Sequence, residues 1–131
     1  MISTKGRYAL RVMIDLADHR ECAAIPLKDI AERQDISKKY LEIIVKDLVR
    51  AGLVKGSSGK GGGYHLTKAP EEYTALEIIE ASEGPVVTVA CLGPDAEPCP
   101  RAAECKSLPI WEQLDAITHD FLKSKKLSDL I

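Results

Sequence analysis

A chain of 131 residues is long enough for one compact domain with an appended element, and its aromatic residues make up only 5%, which favours a helical core over a β-sandwich. No apolar run approaches the ~20 residues that cross a bilayer, and the charged start MISTKGRYAL does not resemble a signal peptide, so we expect a cytoplasmic protein with no membrane partner. The formal net charge of −2 excludes a uniformly basic nucleic-acid-binding protein.

Charge is divided unevenly along the chain. Residues 1–64 hold 12 Lys/Arg and 8 Asp/Glu, a net charge of +4, whereas residues 65–131 hold 6 and 12, a net charge of −6. The basic half is suited to a polyanion such as DNA. Chance scatter of solvated charges is the alternative, so the asymmetry needs support from the predicted elements.

The first third of the chain predicts a helix-turn-helix. After an extended arm or edge strand at 2–5, helix one spans about 5–19. Its apolar residues recur at helical spacing: Leu10, Met13, Ile14 and Ala17. Arg7 and Arg11 are one turn apart, and they are either solvated or contacts to DNA phosphates. A short helix at about 27–34 and a tight turn then lead to Ser37, a good N-cap for helix three.

Helix three, about 38–51, has two different faces. Its apolar stripe must pack on the first two helices and contains Leu41, Ile44, Val45 and Leu48. The opposite stripe contains Lys39, Ile43, Lys46 and Arg50. Lysines suit phosphates, and side chains in the first two turns of such a helix can reach base edges in the major groove.

A glycine-rich hairpin is predicted next. Strand candidates at 53–55 and 64–66 flank the segment GSSGKGGG, whose glycines allow positive φ and a close approach of backbone to phosphate. A Walker loop is disfavoured, because Lys60 is followed by Gly and no helix opens after it. A flexible linker is the other alternative, but the apolar strands on both sides favour a wing.

The second half of the chain predicts two helices separated by a loop. Thr74 and Glu77 form a capping box that opens a short helix, and a Gly-Pro pair ends it. The last helix, about 109–123, has an apolar side: Ile110, Trp111, Leu114, Ile117 and Phe121. We expect a C₂ dimer to cover this side, with packing onto the chain's own core as the alternative.

These elements predict a mainly α (α+β) fold in three parts. Residues 1–84 form a winged helix-turn-helix DNA-binding domain with a β-hairpin wing. Residues 85–106 form a cysteine-containing sensor loop, rich in Pro and acidic residues. Residues 107–131 form a long dimerisation helix and a C-terminal tail.

Three of the four cysteines lie in the predicted loop. Cys91, Cys99 and Cys105 have the spacing C-x₇-C-x₅-C, which lacks the close C-x₂₋₄-C pairs of zinc ribbons. Three thiolates on a proline-stiffened loop suit an iron–sulfur cluster instead. Redox-active thiols without iron are the alternative. Cys22 stands alone in the connection after helix one and is interpreted as an incidental thiol.

Four segments carry a family resemblance: STKGRYALRVMIDLA, PLKDIAERQDISKKYLE, LVRAGLVKGSSGKGGGYHLTK and TALEIIEASEGPV. In this order they resemble the IscR/NsrR/CymR family (the Rrf-two family) of bacterial winged-helix regulators over nearly the whole chain. The resemblance implies a homodimeric regulator that binds pseudo-palindromic, double-stranded promoter DNA. It also implies that helix three enters the major groove, the wing reaches the minor groove and the last helix forms the dimer interface.

The resemblance also assigns DNA-binding residues. IscR-like members have Ser at the position of Lys39, Gln at that of Ile43 and Arg at that of Ser58. These differences imply a different operator, and Lys60 is the candidate to replace the wing arginine. The predicted DNA-binding set is Arg7, Ser37, Lys38, Lys39, Tyr40, Glu42, Ile43, Lys46, Ser58, Lys60, Gly61 and Gly62.

Cluster-binding members of the family carry three cysteines at the place of Cys91, Cys99 and Cys105, with a first spacing of x₅. The segment PCPRAAEC resembles the nitric-oxide-sensing NsrR branch. The resemblance therefore implies a metal site for a 2Fe-2S or 4Fe-4S cluster on these cysteines, through which nitric oxide, oxygen or iron–sulfur status controls DNA binding. The alternative is a cluster-free, CymR-like repressor of cysteine metabolism that responds to thiol oxidation or to a partner protein of that metabolism.

The fourth ligand of such a cluster is left open by the sequence. The IscR branch has a His where this chain has Leu108, and the NsrR branch uses an acidic residue of the partner chain where this one has Arg7. Asp95, Glu97 and an exogenous species are the candidates that remain.

Two other classes of function are less well supported by the sequence. A protein–protein interaction module would use the winged fold without DNA. An enzyme is disfavoured, because no set of nucleophile, base and orienting residue is found and His19, His65 and His119 lie in unrelated segments.

Overall fold

The computed structural model describes all 131 residues. It contains five α-helices and one two-stranded antiparallel sheet, together with three short 3₁₀ turns at Pro70–Glu72, Ala90–Leu92 and Leu127–Leu130. The helices and strands are α1 (Thr4–Asp18), α2 (Leu27–Gln34), α3 (Lys38–Arg50), β1 (Val54–Ser57), β2 (Gly63–Leu66), α4 (Ala75–Glu83) and α5 (Leu108–Ser124). This order confirms the predicted mainly α fold with a β-hairpin wing. None of the helices has the length and apolar character that crossing a membrane requires.

The start of the chain is helical sooner than expected. Residues 2–5 form neither a strand nor an arm, because Ser3 is the N-cap of α1 and its hydroxyl accepts a hydrogen bond from the Lys5 backbone N–H. On α1 the buried face also differs from the prediction: Leu10 and Ile14 are only partly buried. The fully buried positions are Ala9, Val12, Met13, Leu16 and Ala17. The small side chains among them, Ala9 and Ala17, let the neighbouring helices approach α1 closely.

The core of the helix-turn-helix forms around α3. All four residues of its predicted apolar stripe are buried: Leu41, Ile44, Val45 and Leu48. They join one cluster with the buried residues of α1, with Ile30 of α2 and with Ile78 of α4. Ser37 caps α3 as predicted, since its hydroxyl accepts a hydrogen bond from the Tyr40 N–H at 3.2 Å.

The wing is anchored at its base by two long-range contacts. Ile25, in the connection between α1 and α2, exchanges two backbone hydrogen bonds of 2.9 Å with Tyr64 of β2. A Cβ on Gly63 would collide with the Ile25 backbone, so only glycine permits this approach. The buried hydroxyl of Tyr73 donates to the Leu53 carbonyl at 2.8 Å. The hairpin is therefore fixed at its base and free at its tip.

Helix α5 has two faces of different character. One face lies against its own domain: Asp115 accepts a hydrogen bond from the Thr88 N–H at 3.0 Å, and Leu122 packs on Leu76, Ile79 and Val86. The predicted apolar side is exposed along its whole length: Ile110, Trp111, Leu114, Ile117 and Phe121. The alternative prediction, that this side packs onto the chain's own core, is therefore wrong. After α5 the chain returns to the core, where Leu127 is fully buried.

A buried ion pair joins the first two helices. Asp15 of α1 is 1% exposed, and its carboxylate accepts hydrogen bonds from Arg33 Nη2 at 2.7 Å, Arg33 Nε at 3.0 Å and Gln34 Nε2 at 3.0 Å. Burial raises the pKa of Asp15, but these hydrogen bonds and the Arg33 charge outweigh it, so the pKa lies below its usual value. The pair fixes α2, and with it the turn before α3.

We expect Asp15→Asn to lower the free energy of unfolding by about 1.5–3 kcal/mol, because it removes the charge-assisted hydrogen bonds of a buried group. Urea denaturation at pH 7 measures the loss. Asp18→Asn, an exposed position on the same helix, is the matched control and should change the free energy by no more than about 0.5 kcal/mol. Equal effects of the two substitutions would contradict this assignment.

The same pair gives stability a defined pH dependence. A carboxylate whose pKa is depressed by folding stabilises the protein above its ordinary value of about 3.9 and loses that contribution as the pH falls through the folded value. The stability difference between wild type and Asp15→Asn should therefore be constant near neutrality and shrink below about pH 4. A difference that grew with acidification would be inconsistent with this pair.

Candidate nucleic-acid interface and cysteine loop

Helix α3 presents an exposed face without internal partners. The side chains of Lys38, Lys39, Glu42, Ile43 and Lys46 are all exposed, and Ile43 keeps 49% of its surface accessible. None of these lysines forms an ion pair within the chain. Free ammonium groups around an exposed aliphatic side chain can meet phosphates and a thymine methyl group.

Two of the residues predicted to contact DNA, Ser37 and Tyr40, also have structural roles. The Ser37 hydroxyl is the helix cap. Tyr40 is half-buried, and its ring meets Tyr8 of α1 edge to face, with the ring centroids 5.7 Å apart. This aromatic pair sets the position of the first turn of α3 against α1.

The wing lies beside α3 on the same side of the domain. Glu42, Lys46 and Val49 of α3 line a groove together with Gly56 and Tyr64 of the hairpin. Ser57 pairs with Gly63, so residues 58–62 form the tip. At this tip Ser58, Lys60 and Gly61 are exposed and Gly62 is half-buried. The structure thus places the hairpin beside the exposed face of α3, with residues 58–62 at the tip of the hairpin.

Arg7 and Arg11 of α1 differ in their surroundings. Arg7 is exposed, and its Nη2 donates only to the neighbouring Thr4 hydroxyl at 3.0 Å. Arg11 donates to the side chain and backbone carbonyl of Gln34, and its guanidinium lies over the Tyr8 ring, 5.1 Å from the centroid. Arg11 therefore stabilises the helix-turn-helix, and Arg7 is the arginine of this pair that is free to meet a ligand.

The loop between α4 and α5 brings its three cysteines to one cavity. Cys91, Cys99 and Cys105 all line a cavity of about 270 Å³, as do the carboxylates Glu97 and Glu112. Cys22 lines a different cavity, beside Arg20 and His65. All four cysteines are free thiols.

The three thiols are of the chemical type that binds iron–sulfur clusters. No group of three or more His, Cys, Asp or Glu side chains is placed to hold a metal ion. An iron–sulfur cluster is larger, and its thiolate ligands bind different iron atoms, so they stand further apart. Three soft thiols around one cavity therefore fit such a group by their chemistry.

The Cys105 thiol has a hydroxyl group beside it. The Ser107 hydroxyl lies 3.4 Å from its sulfur. This hydrogen bond lowers the pKa of the Cys105 thiol, and the backbone N–H groups of Ser107 and Leu108 add to the effect, against a smaller opposing effect of burial. A lowered pKa increases the thiolate fraction, which is the form that binds metal or reacts with oxidants.

The structure separates the candidates for a fourth ligand. Glu97 lines the cavity, whereas Asp95 does not, and Leu108 closes one of its walls. Glu112 also lines it and was missed from the sequence. The signal was present: Glu112 follows Leu108 by four residues, which places both on one side of a helix that begins just after Cys105.

Comparison with known proteins identifies the family of this chain. The family model described as "Rrf2: Iron-dependent Transcriptional regulator" matches residues 2–131. The HTH-type transcriptional regulator IscR of Aliivibrio salmonicida is 37% identical over 130 residues, covering 99% of this chain and 76% of that protein.

Two solved structures share the fold of this chain over nearly its whole length. CymR, the global cysteine regulator of B. subtilis, is 39% identical with a TM-score of 0.80, and the match covers 99% of this chain and 95% of that one. IscR of T. potens is 33% identical with a TM-score of 0.77, and the match covers 99% of this chain and 85% of that one. The chain is a DNA-binding regulator and not an enzyme, and it belongs to the Rrf2 family of transcriptional regulators.

Proposed function

We propose that this chain is a cytoplasmic, homodimeric repressor that binds pseudo-palindromic promoter DNA under the control of an iron–sulfur cluster on Cys91, Cys99 and Cys105. The observation that supports the control most directly is that these three thiols line one cavity. The same loop connects α4, which packs on the DNA-binding helices, to α5, whose apolar side is uncovered.

In this proposal α3 enters the major groove and the wing tip reaches the neighbouring minor groove. Lys39 and Lys46 meet phosphates, Ile43 meets a thymine methyl group, and Glu42 accepts a hydrogen bond from a cytosine amino group. The remaining members of the predicted set contact the DNA backbone and so fix the register of the protein on the duplex. They are Arg7, Ser37, Lys38, Tyr40, Ser58, Lys60, Gly61 and Gly62.

We expect Lys60→Ala to weaken operator binding and to flatten its salt dependence. Removing one lysine–phosphate contact reduces the slope of log K against log salt by about 1. Fluorescence anisotropy across a salt series measures both effects. Lys123→Ala, an exposed lysine of α5, is the control and should leave the slope unchanged. A wild-type chain without DNA affinity at low salt would instead favour the interaction module.

The apolar side of α5 supports the homodimer. Ile110, Leu114, Ile117 and Phe121 recur at helical spacing, and Ile117 is 66% exposed. A continuous apolar stripe of this kind is costly in water, and the same stripe on a second copy covers it in an isologous contact. The two recognition helices then address two half-sites of one operator.

We expect Ile117→Glu to convert the dimer to a monomer, because it places two charges in an apolar contact around the two-fold axis. Sedimentation equilibrium measures the assembly state. Gln113→Glu adds the same charge at an exposed polar position of the same helix and should remain dimeric. Dimers of unchanged strength in Ile117→Glu would show that this side of α5 is not the interface.

The cysteine loop is connected to both functional parts. The amino terminus of Met1, just before α1, donates to the Val87 carbonyl at 2.9 Å, and the Thr88 N–H donates to Asp115 of α5. Bound to the three thiolates, an iron–sulfur cluster supplies a group that reacts with nitric oxide and oxygen. A change in the ligation of the cluster would alter the loop between these two anchors, which would bias the position of the DNA-binding helices.

We expect anaerobically purified protein to be brown, with thiolate-to-iron charge-transfer absorption, because three thiolates surround one cavity. Replacing Cys91, Cys99 and Cys105 together by Ser should remove the colour and the iron. Cys22→Ser should retain both. Iron-free wild-type protein that still binds its promoter and responds to no iron source would refute cluster control.

A thiol switch without iron is the second candidate. It is favoured by the exposure of Cys91 and Cys99 and by the Ser107 hydroxyl 3.4 Å from the Cys105 sulfur, which lowers the pKa of that thiol. A thiolate-rich, accessible cysteine is susceptible to oxidation. The likeness to CymR, named as a global cysteine regulator, adds a response to cysteine metabolism, directly or through a partner protein. This candidate predicts that peroxide, and not iron status, controls DNA binding of the iron-free protein.

A further inference from the structure

We propose that Glu112 of α5 is the fourth protein ligand of the cluster. This inference rests on the proposed function. Clusters of both types are held by four protein ligands as a rule, and the loop supplies three cysteines. The remaining cysteine, Cys22, lines a separate cavity, so the side chains of this chain that can supply the fourth ligand are the carboxylates of the cysteine cavity.

The position of Glu112 on α5 follows from the contacts of its neighbours. Asp115 and His119 lie three and seven residues further along the helix. Both contact the segment that leads into the cysteine loop: Asp115 accepts hydrogen bonds from Thr88, and His119 contacts the Val86 carbonyl. Helical spacing places Glu112 on the same side as these two residues. Its carboxylate therefore faces the loop and not the exposed apolar side.

The surroundings of Glu112 leave its carboxylate available. Glu112 lines the cavity of the three thiols, next to Leu108 and Cys105. It forms no ion pair within the chain, in contrast to the hydrogen-bonded Asp115. A carboxylate beside three thiolates can complete the coordination of an iron that no cysteine reaches.

Glu97 is the rival carboxylate of the same cavity. It belongs to the segment between Cys91 and Cys99, and it follows the turns at 90–96 in a stretch that is neither helix nor strand. The backbone of Glu112 is fixed within α5. A ligand on a rigid element is placed more reproducibly than one on a loop, which favours Glu112.

A carboxylate ligand would also connect the cluster to the helix of the proposed dimer interface. Carboxylate oxygen is a harder donor than thiolate and binds iron of a cluster less strongly. If Glu112 held one iron, that iron would have the weakest protein ligand of the four, and Glu112 would connect the cluster to α5.

The test compares full-length variants reconstituted anaerobically with iron and sulfide. Glu112→Gln should still acquire colour, but it should release iron to a chelator on the order of tenfold faster than wild type, and its visible circular dichroism should change. Glu112→Cys should slow iron release again and add thiolate-to-iron absorption, which a carboxylate with a merely structural role would not do. Glu104→Gln, which does not line the cysteine cavity, is the matched control and should behave as wild type, whereas Glu97→Gln tests the rival carboxylate.

The outcomes separate this inference from the proposed function. If the wild-type protein acquires no iron, the proposed function itself is refuted. Wild-type protein with a cluster, combined with wild-type behaviour of Glu112→Gln, overturns only the assignment of Glu112. A defect confined to Glu97→Gln overturns it in favour of the loop carboxylate. If Glu112→Gln loses helical circular dichroism, Glu112→Cys decides: slow iron release supports the assignment, and fast release overturns it.

Discussion

The Glu83 carboxylate ties the end of α4 to the start of α1. It is the last residue of α4, directly before the cysteine loop, and it accepts hydrogen bonds from the Ser3 hydroxyl at 2.5 Å and the Gly6 N–H at 2.9 Å at the start of α1. Burial raises the pKa of Glu83, but these hydrogen bonds lower it further, so the net pKa lies below its usual value. A negative charge at a helix N-terminus is stabilised by the unpaired N–H groups there.

The close approach at this contact depends on a glycine. A Cβ at Gly6 would lie 2.5 Å from Glu83 Oε1, so a larger residue would displace the Glu83 side chain from this contact. The polar contact therefore has a fixed geometry rather than the loose one of a surface ion pair. Because α1 also carries Tyr8, whose ring meets Tyr40 at the start of α3, a displacement at Glu83 has a packed route to the proposed DNA-reading helix.

Local patterns could be predicted from the sequence, and contacts between distant segments could not. The α3 stripe and the Ser37 cap were predicted correctly, because helical periodicity and capping involve residues a few positions apart. The pairing of Ile25 with Tyr64 was missed, since a single pair of residues leaves no periodic signal. The buried face of α1 was misjudged because Ala9 and Val12 are small, and large aliphatic residues dominate a periodic pattern.

For the candidate sites, the sequence was informative about residue types and less so about neighbours. The three loop cysteines and the wing lysine were recognisable by their type and spacing. Glu112 was not singled out, because its spacing of four residues from Leu108 points to the cysteine loop only when α5 is placed against that loop. In the sequence, Arg11 cannot be distinguished from Arg7. In the structure, the Arg11 guanidinium donates a hydrogen bond to Gln34 across the helix-turn-helix.

The two faces of α5 explain how one helix can serve both assembly and sensing. Residues at 110, 114, 117 and 121 point away from the domain, whereas Asp115, His119 and Leu122 contact it. A change in the loop acts on the inner face, and a second chain would act on the outer face. Because the helix between them is a single rigid element of 17 residues, a shift on one face moves the other by a similar amount. Coupling between loop and interface thus requires no contact between them beyond α5 itself.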